Sequence, residues 1–122
     1  MFVENFNLHP IIVEQLVFSA KNQPRGNVKL DVKSKFSVQD ISELNNQQYM
    51  AIIRCELTIH SKDRETFSFV MNSSALLDCK EIEPETNFKE LIEKQGIPRF
   101  MEELRKIVAD ITQSLGCGVL NI

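Results

Sequence analysis

The stretch Val28-Lys29-Leu30-Asp31-Val32-Lys33-Ser34-Lys35-Phe36-Ser37-Val38 decides the fold. Val28, Leu30, Val32, Phe36 and Val38 fall on one face of an extended chain, and Lys29, Asp31, Lys33, Lys35 and Ser37 fall on the other. Successive side chains of a strand point to opposite faces, so strict alternation marks a strand with one face packed and one in water. Such half-solvated strands are a feature of antiparallel sheets.

Working outward, Gln48 to His60 repeats the pattern. Tyr49, Ala51, Ile53, Cys55, Leu57 and Ile59 share one face, with Met50, Ile52, Arg54, Glu56, Thr58 and His60 on the other. Ser61-Lys62-Asp63-Arg64 is short and polar and predicts a hairpin turn. A further strand follows from Glu65 to Asp78, with Phe67, Phe69, Met71, Ala75 and Leu77 on one face. Its Asn72-Ser73-Ser74 has low strand propensity and predicts a bulge. Upstream, Ile11 to Ala20 predicts another strand, ended by the turn cluster Asn22-Gln23-Pro24-Arg25-Gly26. Gln39 to Gln47 is rich in polar residues and is expected to be a loop.

Near residue 80 the period changes from 2 to 3.6. Thr86 or Asn87 can cap a short helix from Phe88 to Lys94, which Gly96 is expected to stop. Pro98 suits a helix start. From Arg99 to Leu115, Phe100, Leu104, Ile107, Val108, Ile111 and Leu115 recur at helical spacing, until Gly116 and Gly118 end the run. Strands first and helices last predict an α+β fold, a four-stranded antiparallel meander followed by a short helix and a long amphipathic helix packed on the sheet. With 122 residues, the whole chain from 1 to 122 is expected to be one domain.

Composition bounds the function. The net charge is −3 and no run of Lys or Arg reaches four, so nucleic acid is not an expected partner. The N-terminus lacks the basic start of a secretory signal, and no 18-residue apolar run exists, so no membrane insertion is expected. Cys55, Cys79 and Cys117 make no CxxC and suit reduced thiols in a cytoplasmic protein. His9 and His60 have no ligand spacing for a metal, and His60 and Cys55 lie on opposite faces of one strand. No phosphate-binding glycine loop occurs, and Gly116-Cys117-Gly118 follows a helix instead of opening one. Glu102 and Glu103 beside Arg99, Arg105 and Lys106 suit surface ion pairs. The expectation is therefore a binding protein, not an enzyme, with no cofactor.

The sheet carries more apolar residues than one long helix can cover. Val13, Val17, Met50, Ile52, Val70 and Leu76 lie off the packed face, and need more helix, another subunit or a hydrophobic ligand. A homo-oligomer, dimer or tetramer, is expected. Candidate partner-binding residues are Met50, Ile52, Phe67, Phe69, Met71 and Leu76. Phe67 and Phe69 share a face with Met71, Ala75 and Leu77, which makes the core their first expected place; Met50, Ile52 and Leu76 are the stronger surface candidates.

The order of elements resembles the SecB family of export chaperones. Gly26-Asn27-Val28-Lys29-Leu30-Asp31-Val32 is similar to that family's P-x-V-K-L-D-L strand, and Tyr49 to Ile59 resembles its Y-E-V-x-L-x-x-T-V strand. Phe67-Ser68-Phe69-Val70-Met71 matches its aromatic-led strand, and Ile97-Pro98-Arg99-Phe100 through Gly116 resembles its F-P-Y-x-R helix. The resemblance covers roughly residues 11 to 122. It implies an ATP-independent holdase, a dimer of dimers that binds unfolded polypeptide or a dedicated client along hydrophobic grooves, in protein export. The family contacts the SecA motor through acidic residues. Gln15 and Ser19 stand at two of those positions and Val70 at a third, so client binding is expected ahead of docking on SecA. The alternative is an assembly module of the same fold with a dedicated partner and no general chaperone activity.

Overall fold

A computed structural model describes residues 6–20, 29–45, 48–62, 66–80, 87–116 and 122. Its five strands are β1 (Phe6–Leu8), β2 (Ile12–Ala20), β3 (Leu30–Asn45), β4 (Gln48–Ser61) and β5 (Phe67–Cys79). Helix α1 (Phe88–Leu91) continues through a π-helical turn, Ile92–Gly96, into α2 (Ile97–Ser114). All strand pairs are antiparallel. The α+β class and the long C-terminal helix are as the sequence predicts.

β3, β4 and β5 form a meander. The first strand does not join β3; it crosses to the far side and pairs with β5, giving the order β2-β5-β4-β3. Among the described residues there are five strands instead of four, because β1 lies upstream of the strand expected from Ile11 to Ala20, set off from it by Pro10, which has no N–H to give a ladder. β1 and β2 lie along the same partner, Phe6 opposite Cys79 and Ala20 opposite Phe67. The break is bridged by the His9 amide, which bonds the Leu76 carbonyl at 2.9 Å.

The segment from Gln39, expected to be a loop, is a continuation of β3. Gln39, Asp40, Ser42 and Glu43 face solvent at a sheet edge, where no apolar alternation is required. A register shift between Gln39 and Ser42 contains Asp40, whose φ is +52°, and a second follows between Glu43 and Asn45. The bulge expected at Asn72-Ser73-Ser74 lies on the neighbouring strand, where Glu14 is the extra residue opposite Asn72 and Ser73. β5 itself runs in unbroken register with β4. The hairpin joining them is closed by the Ser61 hydroxyl, which accepts from the Phe67 amide at 3.1 Å. Val28, both predicted tight turns beyond Lys62 and Ala20, Thr86, Cys117, Gly118 and Val119 to Asn121 lie outside the described residues.

Gly96 does not stop a helix. Asn87 caps α1, its Oδ1 accepting from the Glu90 amide at 3.2 Å, and the backbone then stays helical through Gly96 and Pro98. Proline clashes with the carbonyl four residues back, and the wider π turn before it gives that carbonyl room. Gly96 is buried against the sheet. A Cβ there would stand 3.2 Å from Ile53 Cδ1 and 3.4 Å from both Ile92 Cγ2 and Leu77 Cδ2. The glycine thus serves close approach of helix and sheet. The true stop is Gly116, at φ +79°.

The core lies between one sheet face and the helices. Ala51, Ile53, Cys55, Leu57 and Ile59 of β4 and Phe67, Phe69, Met71, Ala75 and Leu77 of β5 meet Phe100, Leu104 and Val108 of α2. Phe36 meets Phe100 edge-on at 5.8 Å, and Tyr49 stacks on Phe88 at 4.9 Å. Thr112, absent from the apolar stripe, is also buried. Its hydroxyl donates to the Val108 carbonyl at 2.8 Å, which satisfies it inside its own helix.

Candidate functional site

The opposite face of the sheet has no described layer over it, and the register fixes what it displays. β3 contributes Asp31, Lys33, Lys35, Ser37 and Gln39; β4 contributes Ile52, Arg54, Glu56, Thr58 and His60. β5 adds Ser68, Val70, Asn72, Ser74 and Leu76. β2 adds Ile12, Gln15, Val17 and Ser19.

Two surfaces of different chemistry share this face. Across its middle runs a polar belt. Arg54 Nη1 lies 3.5 Å from Glu14 Oε2, and Asn72 Nδ2 donates to Gln15 Oε1 at 3.1 Å. With Lys35, Ser37 and Glu56 these residues line an open hollow of about 820 Å³. The β2 bulge makes this contact available, because the extra residue is Glu14 itself. At one end of the face lies an apolar patch. Ile52 is directly opposite Leu76, Met50 flanks them, and Ile12 of β2 stands opposite Ser74 beside Leu76. Ile12 is 64% exposed.

β2 is itself an unusual edge. Ile12, Val13, Leu16 and Val17 are all exposed, on both faces of a strand with one side unpaired among the described residues. Natural edges are normally blunted by charge or cover, so an apolar one marks a surface built to be covered.

Of the six candidate residues, Phe67, Phe69 and Met71 are fully buried beneath the helix. They correct the surface reading: they alternate in phase with Ala75 and Leu77 and fill the core. Met50, Ile52 and Leu76 are half-buried on the free face, in one patch. Sequence reading missed Ile12 as their neighbour, since which strand lies beside β5 depends on a long-range crossover.

The described titratable groups near this face make structural contacts. His9 Nε2 pairs with Asp78 and helps pin the start of the first strand to β5. His60 Nδ1 faces the Ser61 carbonyl at 3.0 Å. Burial pushes the thiols of Cys55 and Cys79 up to about 11, further from the reactive thiolate. Among the described residues no cluster of His, Cys, Asp or Glu could hold a metal, and no helix is long and apolar enough to cross a membrane. Arg99 and Lys106 approach Glu103 at 4.0 and 3.5 Å along α2, as the charge spacing predicts.

An antiparallel sheet with its first strand crossed to the far edge and a long helix over one face defines a SecB-like fold. The SecB-like chaperone Rv1957 of Mycobacterium tuberculosis, solved in complex with a ChAD peptide from the Rv1956 HigA1 antitoxin, has this fold, with a TM-score of 0.69 at 15% identity over 97% of this chain and 88% of that one. A protein of unknown function from Streptococcus agalactiae superposes with a TM-score of 0.60 at 12% identity, over 96% of this chain and 95% of that one. No protein-family model and no curated protein matches the sequence.

Proposed function

We propose that this chain is a SecB-like chaperone that holds extended, non-native segments of a dedicated client protein without nucleotide, as a cytoplasmic homo-oligomer. The observation that carries the reading is the SecB-like fold joined to apolar surface left open on it: Met50, Ile52, Leu76 and Ile12 on the free face and the apolar edge of β2. An unfolded client offers backbone and scattered apolar side chains, and adaptable residues such as Met50 suit such a partner. The polar belt of Glu14, Gln15, Arg54 and Asn72 breaks the apolar surface into separate patches. That favours one dedicated client over general holdase activity, because patches at fixed positions match particular sequences. The SecB-like neighbour from M. tuberculosis, bound to a peptide from an antitoxin, is in keeping with it. Docking on the SecA motor is not part of the reading, with Gln15 and Ser19 neutral on β2.

The apolar edge of β2 supports the oligomer. Two copies laid antiparallel edge to edge would bury Leu16 and Val17 twice over and leave no apolar edge in water.

The test is suppression of aggregation when a urea-unfolded protein is diluted into buffer with the purified chain and no nucleotide. Protection that the double substitution Met50→Ser and Ile52→Ser abolishes, with circular dichroism unchanged, is the expected result. No protection of any client, including proteins co-isolated with the native chain, would overturn the reading in favour of a purely structural assembly module.

A further inference from the structure

The two edges of the sheet differ in chemistry. β2 carries exposed apolar residues on both faces, whereas β3 is divided. Toward the helix side it carries Leu30, Val32, Phe36 and Val38, with Phe36 and Val38 half-buried and Val32 44% exposed. Toward the free face it carries Asp31, Lys33 and Lys35, with Lys29 just before the strand. Among the described residues nothing pairs with the outer side of β3.

The register sets the usable length. From Leu30 to Gln39 β3 is regular, and beyond Gln39 the shift around Asp40 ends the straight ladder. A strand added there has room for about ten residues at the usual rise.

The charges select the occupant. Asp31 lies 4.0 Å from His60 Nδ1, and Lys35 stands directly opposite Glu56. Lys33 stands opposite Thr58, no carboxylate pairs with it among the described residues, and polar hollows of about 290 and 440 Å³ open beside it. A second copy pairing through this edge would bring lysine rows together, and lysines on an edge act against such pairing. An acidic segment meets a like charge on that row only at Asp31, which lies beside His60.

We propose that the outer edge of β3, from Leu30 to Gln39, is a docking site for an extended partner segment of about ten residues that alternates acidic and apolar side chains. The segment adds to the sheet beside β3. Its backbone satisfies the open ladder, its carboxylates stand beside Lys33 and Lys35, and its apolar side chains lie beside Val32 and Phe36. Calling that segment part of a client rests on the chaperone reading above; the docking site itself does not.

The probes are two fluorescein-labelled peptides of about ten residues, a Val–Glu repeat and a Val–Lys repeat, titrated in fluorescence anisotropy. The wild-type chain is expected to bind the Val–Glu peptide about tenfold more tightly, since opposite charges across strands attract and like charges repel. The double variant Lys33→Glu and Lys35→Glu is expected to reverse that preference. Amide exchange should slow along β3, and not along β2, when the Val–Glu peptide is added. Equal affinity for the two peptides, binding of neither, or protection on β2 alone would overturn the proposal. Should the variant lose its circular dichroism spectrum, the wild-type peptide comparison and the exchange map decide. Aggregation suppression is scored separately, so the site can stand when the chaperone reading fails, and the reverse.

Discussion

Gly96 offers a sharp test of how the helix sits on the sheet. The perturbation is a cycle of Gly96→Ala, Ile53→Val and the double variant. Gly96 has φ −68°, ordinary for a helix, so alanine introduces no backbone strain and gains roughly 1 kcal/mol of helix propensity. Against this, its Cβ would stand 3.2 Å from Ile53 Cδ1. Carbon atoms prefer about 3.5–4.0 Å, and overpacking costs about 1–3 kcal/mol. Here the low end applies, because Cδ1 is the free end of a side chain. Gly96→Ala alone is therefore expected to be near neutral. Ile53→Val deletes that same Cδ1 from a fully buried site, at about 0.5–1.5 kcal/mol. In the double variant the crowding is gone and the alanine methyl fills part of the vacancy. It should be about 1 kcal/mol more stable than Ile53→Val alone. Urea unfolding with an unchanged m-value is the assay. Additivity within about 0.3–0.5 kcal/mol would refute the close approach of Gly96 to β4.

Other outcomes follow from single sites. Ser73 is buried with no hydrogen-bond partner for its hydroxyl among the described residues, so Ser73→Ala should raise stability by about 1 kcal/mol in urea unfolding. The Asn87 cap should be worth about 1 kcal/mol, read from Asn87→Ala as a loss of urea midpoint. Cys55 and Cys79 are raised by burial from 9.0 to about 11. Their contribution to stability is therefore complete below pH 9 and is lost as pH climbs from 9 toward 11, where the unfolded chain ionises first. In a Cys117→Ser background, the urea midpoint should fall across that window, and Cys55→Ala with Cys79→Ala should flatten the fall. Light scattering should give a mass above the 14.0 kDa of one chain, and Leu16→Lys with Val17→Lys should return it to that value. A wild-type monomer at tens of micromolar would rule out the β2 seam.

Period and phase carried most of the fold. The alternation in β3, β4 and β5 named the packed face residue by residue, and the α2 stripe named Phe100, Leu104 and Val108 as its cover. What alternation cannot carry is partnership between strands. β2 reaches β5 through a crossover, and nothing local in Ile11 to Ala20 specifies its neighbour. Gly96 misled because a glycine after a short periodic run looks the same whether it ends a helix or lets it approach a sheet. Gln39 to Asn45 misled because an edge strand needs only its inner ladder, and its side chains are free to be polar. For the candidate site, phase separated Met50, Ile52 and Leu76 from the buried Phe67, Phe69 and Met71. The polar belt was invisible, because Arg54 and Glu14 meet only when β2, β5 and β4 lie side by side.

The strand order has one more consequence, for valency. With β2 at one edge and β3 at the other, the proposed pair of chains joined through β2 would be a single ribbon of eight main strands, β3 to β3. Its outer margins are about 34 Å apart, seven steps of about 4.8 Å. A two-fold axis runs the two margins in opposite directions. The two added stretches would lie one step beyond each margin, about 43 Å apart, so one client chain with two acidic-apolar stretches separated by about thirteen or more residues could lie along one margin, cross the ribbon and return along the other. The second contact would then form at the high effective concentration of a tethered end, so that two weak grips amount to one slow release. A client with a single stretch, or with a shorter spacer, would be held once and let go.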